Sequence, residues 1–130
     1  MPRQRRDARL GVVSLRCLIV DDNASFLDAA TTLLKRQGLA VAGIATTAAD
    51  ALARARALRP DVVLVDIVLG EESGFDVARQ LAVDDGRGPA VILISTHAED
   101  DFADLIEETP AAGFLPKSEL SADAIRRLAG

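Results

Sequence analysis

VVLVDIVLG, Val62 to Gly70, decides the fold of this chain. Four aliphatic residues run straight into an aspartate, Asp66, and the chain turns apolar again before it breaks at Gly70. A short, continuous aliphatic run of this kind fits a strand buried on both faces, as in a parallel sheet. A carboxylate at the end of such a strand costs free energy unless something stabilises it. Asp66 is therefore the group the rest of the sequence has to explain.

Working outward, CLIV (17–20), AVAGIAT (40–46), AVILIS (90–95) and part of AAGFLPK (111–117) read as further strands. Helical stretches separate them. Ser25 to Gln37 carries the apolar stripe Leu27, Ala30, Leu33 and Leu34, with Ser25-x-x-Asp28 as a capping box and Gly38 as the stop. Thr47-x-x-Asp50 opens a second helix, and Gly74 to about Asp84 forms a third. DFADLIEET (101–109) is a short acidic fourth, and Ser121 caps the last, ADAIRRLAG. LGEESG (69–74) reads as a loop and DGRGP (85–89) as a turn. Helical crossovers of this length require parallel neighbours. The expected fold is α/β, a doubly wound five-stranded parallel sheet flanked by five helices. In such folds the functional site lies beyond the carboxyl ends of the strands.

The 130 residues suit one domain, and with only four Phe and no Tyr or Trp the core must come from Leu, Val, Ile and Ala. No apolar run approaches the roughly 20 residues of a membrane helix. The basic start lacks the apolar segment of a signal peptide, so the expected location is cytoplasmic. Cys17 has no second cysteine to pair with and reads as a small buried hydrophobe. A single histidine, His97, excludes a multi-histidine metal site. Residues 1–16 carry a net charge of +4 and the remainder −9, which makes the body a poor nucleic-acid binder. Residues 1–14 are expected to form a flexible basic arm and residues 15–130 the domain.

The residues that follow the strands are chemically distinctive. Asp21 and Asp22 follow the first, Asp66 ends the third, Ser95 and Thr96 close the fourth, and Lys117 follows the fifth. Three carboxylates at close quarters repel unless a cation intervenes. An all-oxygen set suits Mg²⁺ rather than zinc. Lys117 adds a positive point charge and Ser95 a hydroxyl donor. Together these form a phosphoryl-transfer site with Asp66 as nucleophile.

With these residues in this order, the chain resembles the receiver domain of two-component response regulators. The match consists of the Asp21-Asp22 pair, Asp66 with Gly74 eight positions on, Ser95, and Lys117 in GFLPK, and it covers residues 16 to 129. The resemblance implies a flavodoxin-like strand order, 2-1-3-4-5. It implies that Asp66 accepts a phosphoryl group from a histidine kinase or a small phosphodonor. Asp22, Asp66 and the backbone carbonyl of Val68 would bind Mg²⁺ directly, with Asp21 helping through water. Ser95 would turn toward the phosphoryl group, Lys117 would contact it, and Phe114 would be the aromatic switch. The surface of the fourth helix, fifth strand and fifth helix would then change for a separate output protein. Catalysis of anything beyond its own phosphorylation and dephosphorylation is not expected. Nor is binding to nucleic acid or membrane.

Several positions depart from the family's commonest pattern. Gly70 stands where proline is frequent, which would leave LGEESG more mobile, and Ser118 rather than proline follows Lys117. Thr96 is bulkier than usual beside the switch hydroxyl, and Val68 and His97 occupy positions that tune phosphoryl loss. An apolar Val68 cannot orient an attacking water, which predicts a long-lived phosphoform. The acidic fourth helix could pair with Arg126 and Arg127 of a second copy in a homodimer through helices four and five. The short final helix ending in Gly130 suggests a stand-alone regulator. A phosphorylation-independent interaction module is the rival reading, weakened because the acids and the lysine are all retained. An aspartyl phosphatase lacks its second acid, since Val68 holds that place.

Overall fold

The structure is a computed structural model and describes residues 15–82, 88–97 and 102–130. The predicted arm lies outside the described residues, as does part of the 85–89 turn. The elements run β1 (Arg16–Val20), α1 (Ala24–Arg36), β2 (Ala40–Ala45), α2 (Ala48–Leu58) and β3 (Val62–Asp66). There follow β4 (Val68–Leu69), β5 (Glu72–Ser73), α3 (Gly74–Ala82), β6 (Ala90–Ser95), α4 (Ala103–Glu108), β7 (Gly113–Pro116) and α5 (Ala122–Ala129).

Five strands form one sheet in the order β2-β1-β3-β6-β7, all neighbours parallel. With the small β4–β5 ladder set aside, this is the expected order 2-1-3-4-5 flanked by five helices. Alternation of side chains along the strands divides the core in two. Cys17, Ile19, Val62, Leu64, Ile92 and Ile94 face α1 and α5, where Leu27, Leu34 and Ile125 meet them. Leu18, Val20, Val63, Val65, Val91 and Leu93 face the other layer, with Phe75, Val77, Ala78 and Leu81 of α3. Both faces of β1, β3 and β6 are thus covered, which is why these strands read as unbroken aliphatic runs. Among the described residues no helix is long and apolar enough to cross a membrane.

The structure differs from the sequence reading at the α1 cap, in LGEESG and at Leu33, which belongs to the expected apolar stripe of α1 but is 37% exposed. The cap of α1 is Asn23, whose Oδ1 accepts the Phe26 N–H at 3.0 Å, and not Ser25. The helix starts one residue early because Asp21, held in the sheet by its N–H to Ala45 O, leaves only two residues before the turn. LGEESG, read as a loop, closes as a hairpin: Val68 pairs with Ser73 and Leu69 with Glu72 around a two-residue turn. Gly70 lies there at φ +60, a conformation open to glycine and closed to proline. The Thr47 and Ser121 caps stand as expected, accepting from the N–H groups of Asp50 and Ala124.

Candidate functional site

The sheet carries each polar group to one rim. The ladder continues one residue past β1, where Asp21 N–H reaches Ala45 O, and one past β3, where Ile67 N–H reaches Ile94 O. Asp21 and Asp66 therefore project from backbone that is still hydrogen-bonded sheet. Asp21 is fully buried, Asp66 is 7% exposed and Ser95 1%, while Asp22 faces solvent.

Lys117 spans the two buried acids. Its Nζ lies 2.6 Å from Asp21 Oδ2 and 3.0 Å from Asp66 Oδ2. The first contact is a close ion pair, in which the ammonium meets the fully buried Asp21 carboxylate. Asp21 Oδ1 accepts the Asn23 N–H at 2.9 Å, and Asp66 Oδ1 the Val68 N–H at 3.0 Å. A side chain other than proline after Lys117 does not prevent the ammonium from reaching both acids. Burial pushes the Asp66 carboxyl above its ordinary range; Lys117 and the Val68 N–H oppose this, and the Asp21 charge adds to it. Burial acts to lower the Lys117 ammonium, but the carboxylates of Asp21 and Asp66 outweigh it and the net shift is upward.

Asp21, Asp22 and Asp66 each offer a carboxylate oxygen, and these atoms lie within 4.8 Å of one another. An all-oxygen cluster of three carboxylates fits a hard divalent cation such as Mg²⁺.

Close approach explains Gly74. A Cβ at that position would lie 2.0 Å from the backbone oxygen of Asp66, and the Gly74 N–H donates to Ile67 O. The glycine lets α3 start directly beneath the turn that presents the aspartate.

The Ser95 hydroxyl is held locally. Ser95 Oγ accepts the His97 N–H at 2.9 Å and lies 3.4 Å from His97 Nδ1. The exposed His97 ring meets Phe102 edge-on at 5.7 Å. Thr96 is exposed beside it. Phe114 is half-buried against the α3-side core, which Phe102, Ile106 and Ala111 also pack against. Val68 is 48% exposed, and its backbone N–H supports the Asp66 carboxylate.

Two contributors escaped sequence reading. Phe26, in the first turn of α1, has its ring centroid 4.3 Å from Lys117 Nζ. Glu72 Oε1 accepts the Ala48 N–H at 2.9 Å and so ties the β4–β5 hairpin to the start of α2. The first could be suspected from an aromatic in a helix that follows an acidic pair; the second has no local signal.

A family model described as the response regulator receiver domain matches residues 17–129. The DNA-binding response regulator MtrA of Mycobacterium tuberculosis (strain ATCC 25618 / H37Rv) is 39% identical over 93 residues, 70% of this chain and 38% of that protein. Response regulator GacA of Pseudomonas aeruginosa is 31% identical over 118 residues, covering 88% and 55%. This chain thus spans less than two thirds of the length of either relative. Among solved structures, a LuxR-family two-component response regulator from Aurantimonas sp. SI85-9A1 aligns with TM-score 0.80 and 26% identity over 90% of this chain and 86% of that one. The fold, the acidic rim and these matches agree, and the chain belongs to the response regulator receiver domain family.

Proposed function

We propose that this protein is a phosphoacceptor switch in which Asp66 takes a phosphoryl group from a histidine kinase. The observation that carries the reading is the juxtaposition of Asp66 with Lys117, Asp21 and Asp22 at the carboxyl rim of the sheet. An Asp66 carboxylate oxygen attacks phosphorus, the P–N bond of the phosphohistidine breaks, and the imidazole leaves with the electron pair. The product is an acyl phosphate on Asp66. Reversal to the free acid is attack by water on the same phosphorus, so the chain catalyses only its own phosphorylation and dephosphorylation.

Asp21, Asp22, Asp66 and the carbonyl of Val68 are the groups that would hold Mg²⁺. When bound, Mg²⁺ neutralises the negative charge gathered by phosphoryl oxygens and carboxylates. Lys117 supplies a second positive charge, already within contact distance of the nucleophile. Ser95 Oγ accepts the His97 N–H, which leaves its hydroxyl proton free to donate to the phosphoryl group as the side chain turns toward it. Phe114 sits next to the same core layer as α4 and follows that turn by moving inward. The α4–β7–α5 surface then presents a different face to an output protein, or to a second copy through α4 and Arg126 and Arg127. Thr96 and His97 adjust the lifetime of the phosphoform. The setting is the cytoplasm, where the kinase's phosphohistidine is available.

The test is incubation with acetyl phosphate, with and without Mg²⁺, followed by intact mass. The expected result is one added phosphoryl group that depends on Mg²⁺ and is absent in Asp66→Ala. An unmodified chain under conditions where Mg²⁺ binds would favour phosphorylation-independent interaction instead.

A further inference from the structure

We propose that Phe26 is a positioning residue for phosphoryl transfer, its ring seating the Lys117 ammonium over the Asp21–Asp66 pair; this rests on the reading of Asp66 as phosphoacceptor. An ammonium 4.3 Å from the centre of an aromatic ring is drawn to the ring's negative face. That attraction strengthens where water is excluded, and the Lys117 side chain is only 12% exposed. The chain has four Phe and no Tyr or Trp, so an aromatic face at this place is not drawn from an abundant pool.

The placement of Phe26 is tied to the acids themselves. Its N–H donates to Asn23 Oδ1 at 3.0 Å, and the Asn23 N–H donates to Asp21 Oδ1 at 2.9 Å. The other oxygen of Asp21 faces Lys117 at 2.6 Å, and Lys117 lies over the Phe26 ring. Asp21, Asn23, Phe26 and Lys117 thus form a closed circuit of contacts. The cap that starts α1 fixes both the carboxylate and the ring that together hold the ammonium.

A neutral ring suits this task better than another polar group. Lysine is a compact charge on a flexible stem, and its orientation must come from what surrounds its head. A fourth carboxylate would add repulsion to a rim that already gathers Asp21, Asp22 and Asp66. During transfer the ammonium has to exchange Asp66 Oδ2 for a phosphoryl oxygen. The ring keeps the ammonium over the acid pair and offers no strong acceptor to compete with the phosphoryl group.

The experiment compares wild type, Phe26→Leu and Phe26→Tyr for the initial rate of Mg²⁺-dependent phosphorylation by acetyl phosphate, well below each thermal midpoint. Phe26→Leu is expected to slow the maximal rate by about three- to tenfold, from the strength of a partly desolvated cation–aromatic contact. Phe26→Tyr is expected to restore it, and in a Lys117→Ala background Phe26→Leu is expected to have no further effect. Wild-type rates in Phe26→Leu, an equal loss in Leu and Tyr variants, or a full additional loss in the Lys117→Ala background would each overturn the proposal. A second readout is independent of phosphorylation: the Lys117 ε-protons should show an upfield ring-current shift in wild type and Phe26→Tyr that vanishes in Phe26→Leu. If wild type takes no phosphoryl group, the function proposed for Asp66 fails. The proton shift then decides on its own whether the ring seats the ammonium, and its absence in wild type overturns that too.

Discussion

Lys117 Nζ sits 3.0 Å from Oδ2 of Asp66, while Oδ1 of the same carboxylate takes the Val68 N–H at the same distance. Both oxygens of Asp66 are therefore held, one by a charge delivered from the end of β7 and one by backbone two residues along. This fixes the carboxylate plane at the tip of a buried strand, which is the preorganisation an attacking oxygen needs. It also answers why a buried strand ends in an acid: the acid has its counter-charge built in.

Removing that counter-charge should be costly. Lys117→Ala leaves Asp21 and Asp66 facing each other with little water nearby, and stability is expected to fall by about 2–4 kcal/mol with divalent cations chelated. Adding Mg²⁺ should recover part of the loss, because a cation at the acidic cluster replaces the missing charge. Urea unfolding with EDTA and with Mg²⁺ measures both. Equal midpoints for wild type and variant in EDTA would contradict the account.

Gly74→Ala should perturb the site through backbone alone. The new Cβ would meet the Asp66 carbonyl oxygen at 2.0 Å, so either α3 or the aspartate must move. A loss of about 2–3 kcal/mol is expected, with a fall in thermal midpoint of about 10 °C. Calorimetry checks the first expectation, and a shifted Asp66 backbone amide resonance checks that the aspartate moved.

Most of the scaffold is legible in the sequence because burial on both sheet faces forces unbroken aliphatic runs such as CLIV, VVLVD and AVILIS. Asp21, Asp22, Asp66, Ser95 and Lys117 are legible because each is polar immediately after such a run. The cap of α1 is harder, since Asn23 and Ser25 are both good caps and only the reach of the sheet through Asp21 decides between them. The β4–β5 hairpin has two residues per strand, too few for any alternation to appear. The contacts of Phe26 with Lys117 and of Glu72 with Ala48 join segments distant in sequence; an aromatic soon after the acidic pair hints at the first, and no local pattern encodes the second.

Val68 tests how phosphoryl loss is controlled. Its side chain is exposed beside the acid and can hydrogen-bond no water. Val68→Asn places an amide where water would approach, and the half-life of the phosphoform is expected to shorten by about tenfold, the worth of one good hydrogen bond in the transition state. The decay of the phosphorylated mass after donor removal gives the number. An unchanged half-life would show that Val68 does not limit water attack.

Cys17 gives a pH prediction with a definite sign. Burial pushes its thiol from 9.0 up to about 12. Between these values the unfolded chain loses the proton and the folded chain keeps it, so the thiol's contribution to stability is intact below pH 9 and drains away as pH rises toward 12. Native protein at pH 8 should also react with a thiol reagent only as fast as it opens. Cys17→Ala, whatever its effect on absolute stability, is expected to flatten this part of the alkaline slope; an unaltered slope would count against the burial argument.

The central claim concerns one carboxylate among three that crowd the same rim. The most direct measurement is borohydride reduction of the chain after acetyl phosphate and Mg²⁺ treatment, followed by peptide sequencing by mass, since an acyl phosphate on aspartate is reduced to homoserine. The account predicts homoserine at position 66 alone. Homoserine at position 21 or 22, or intact aspartate at 66 in a chain that has gained a phosphoryl group, would contradict it.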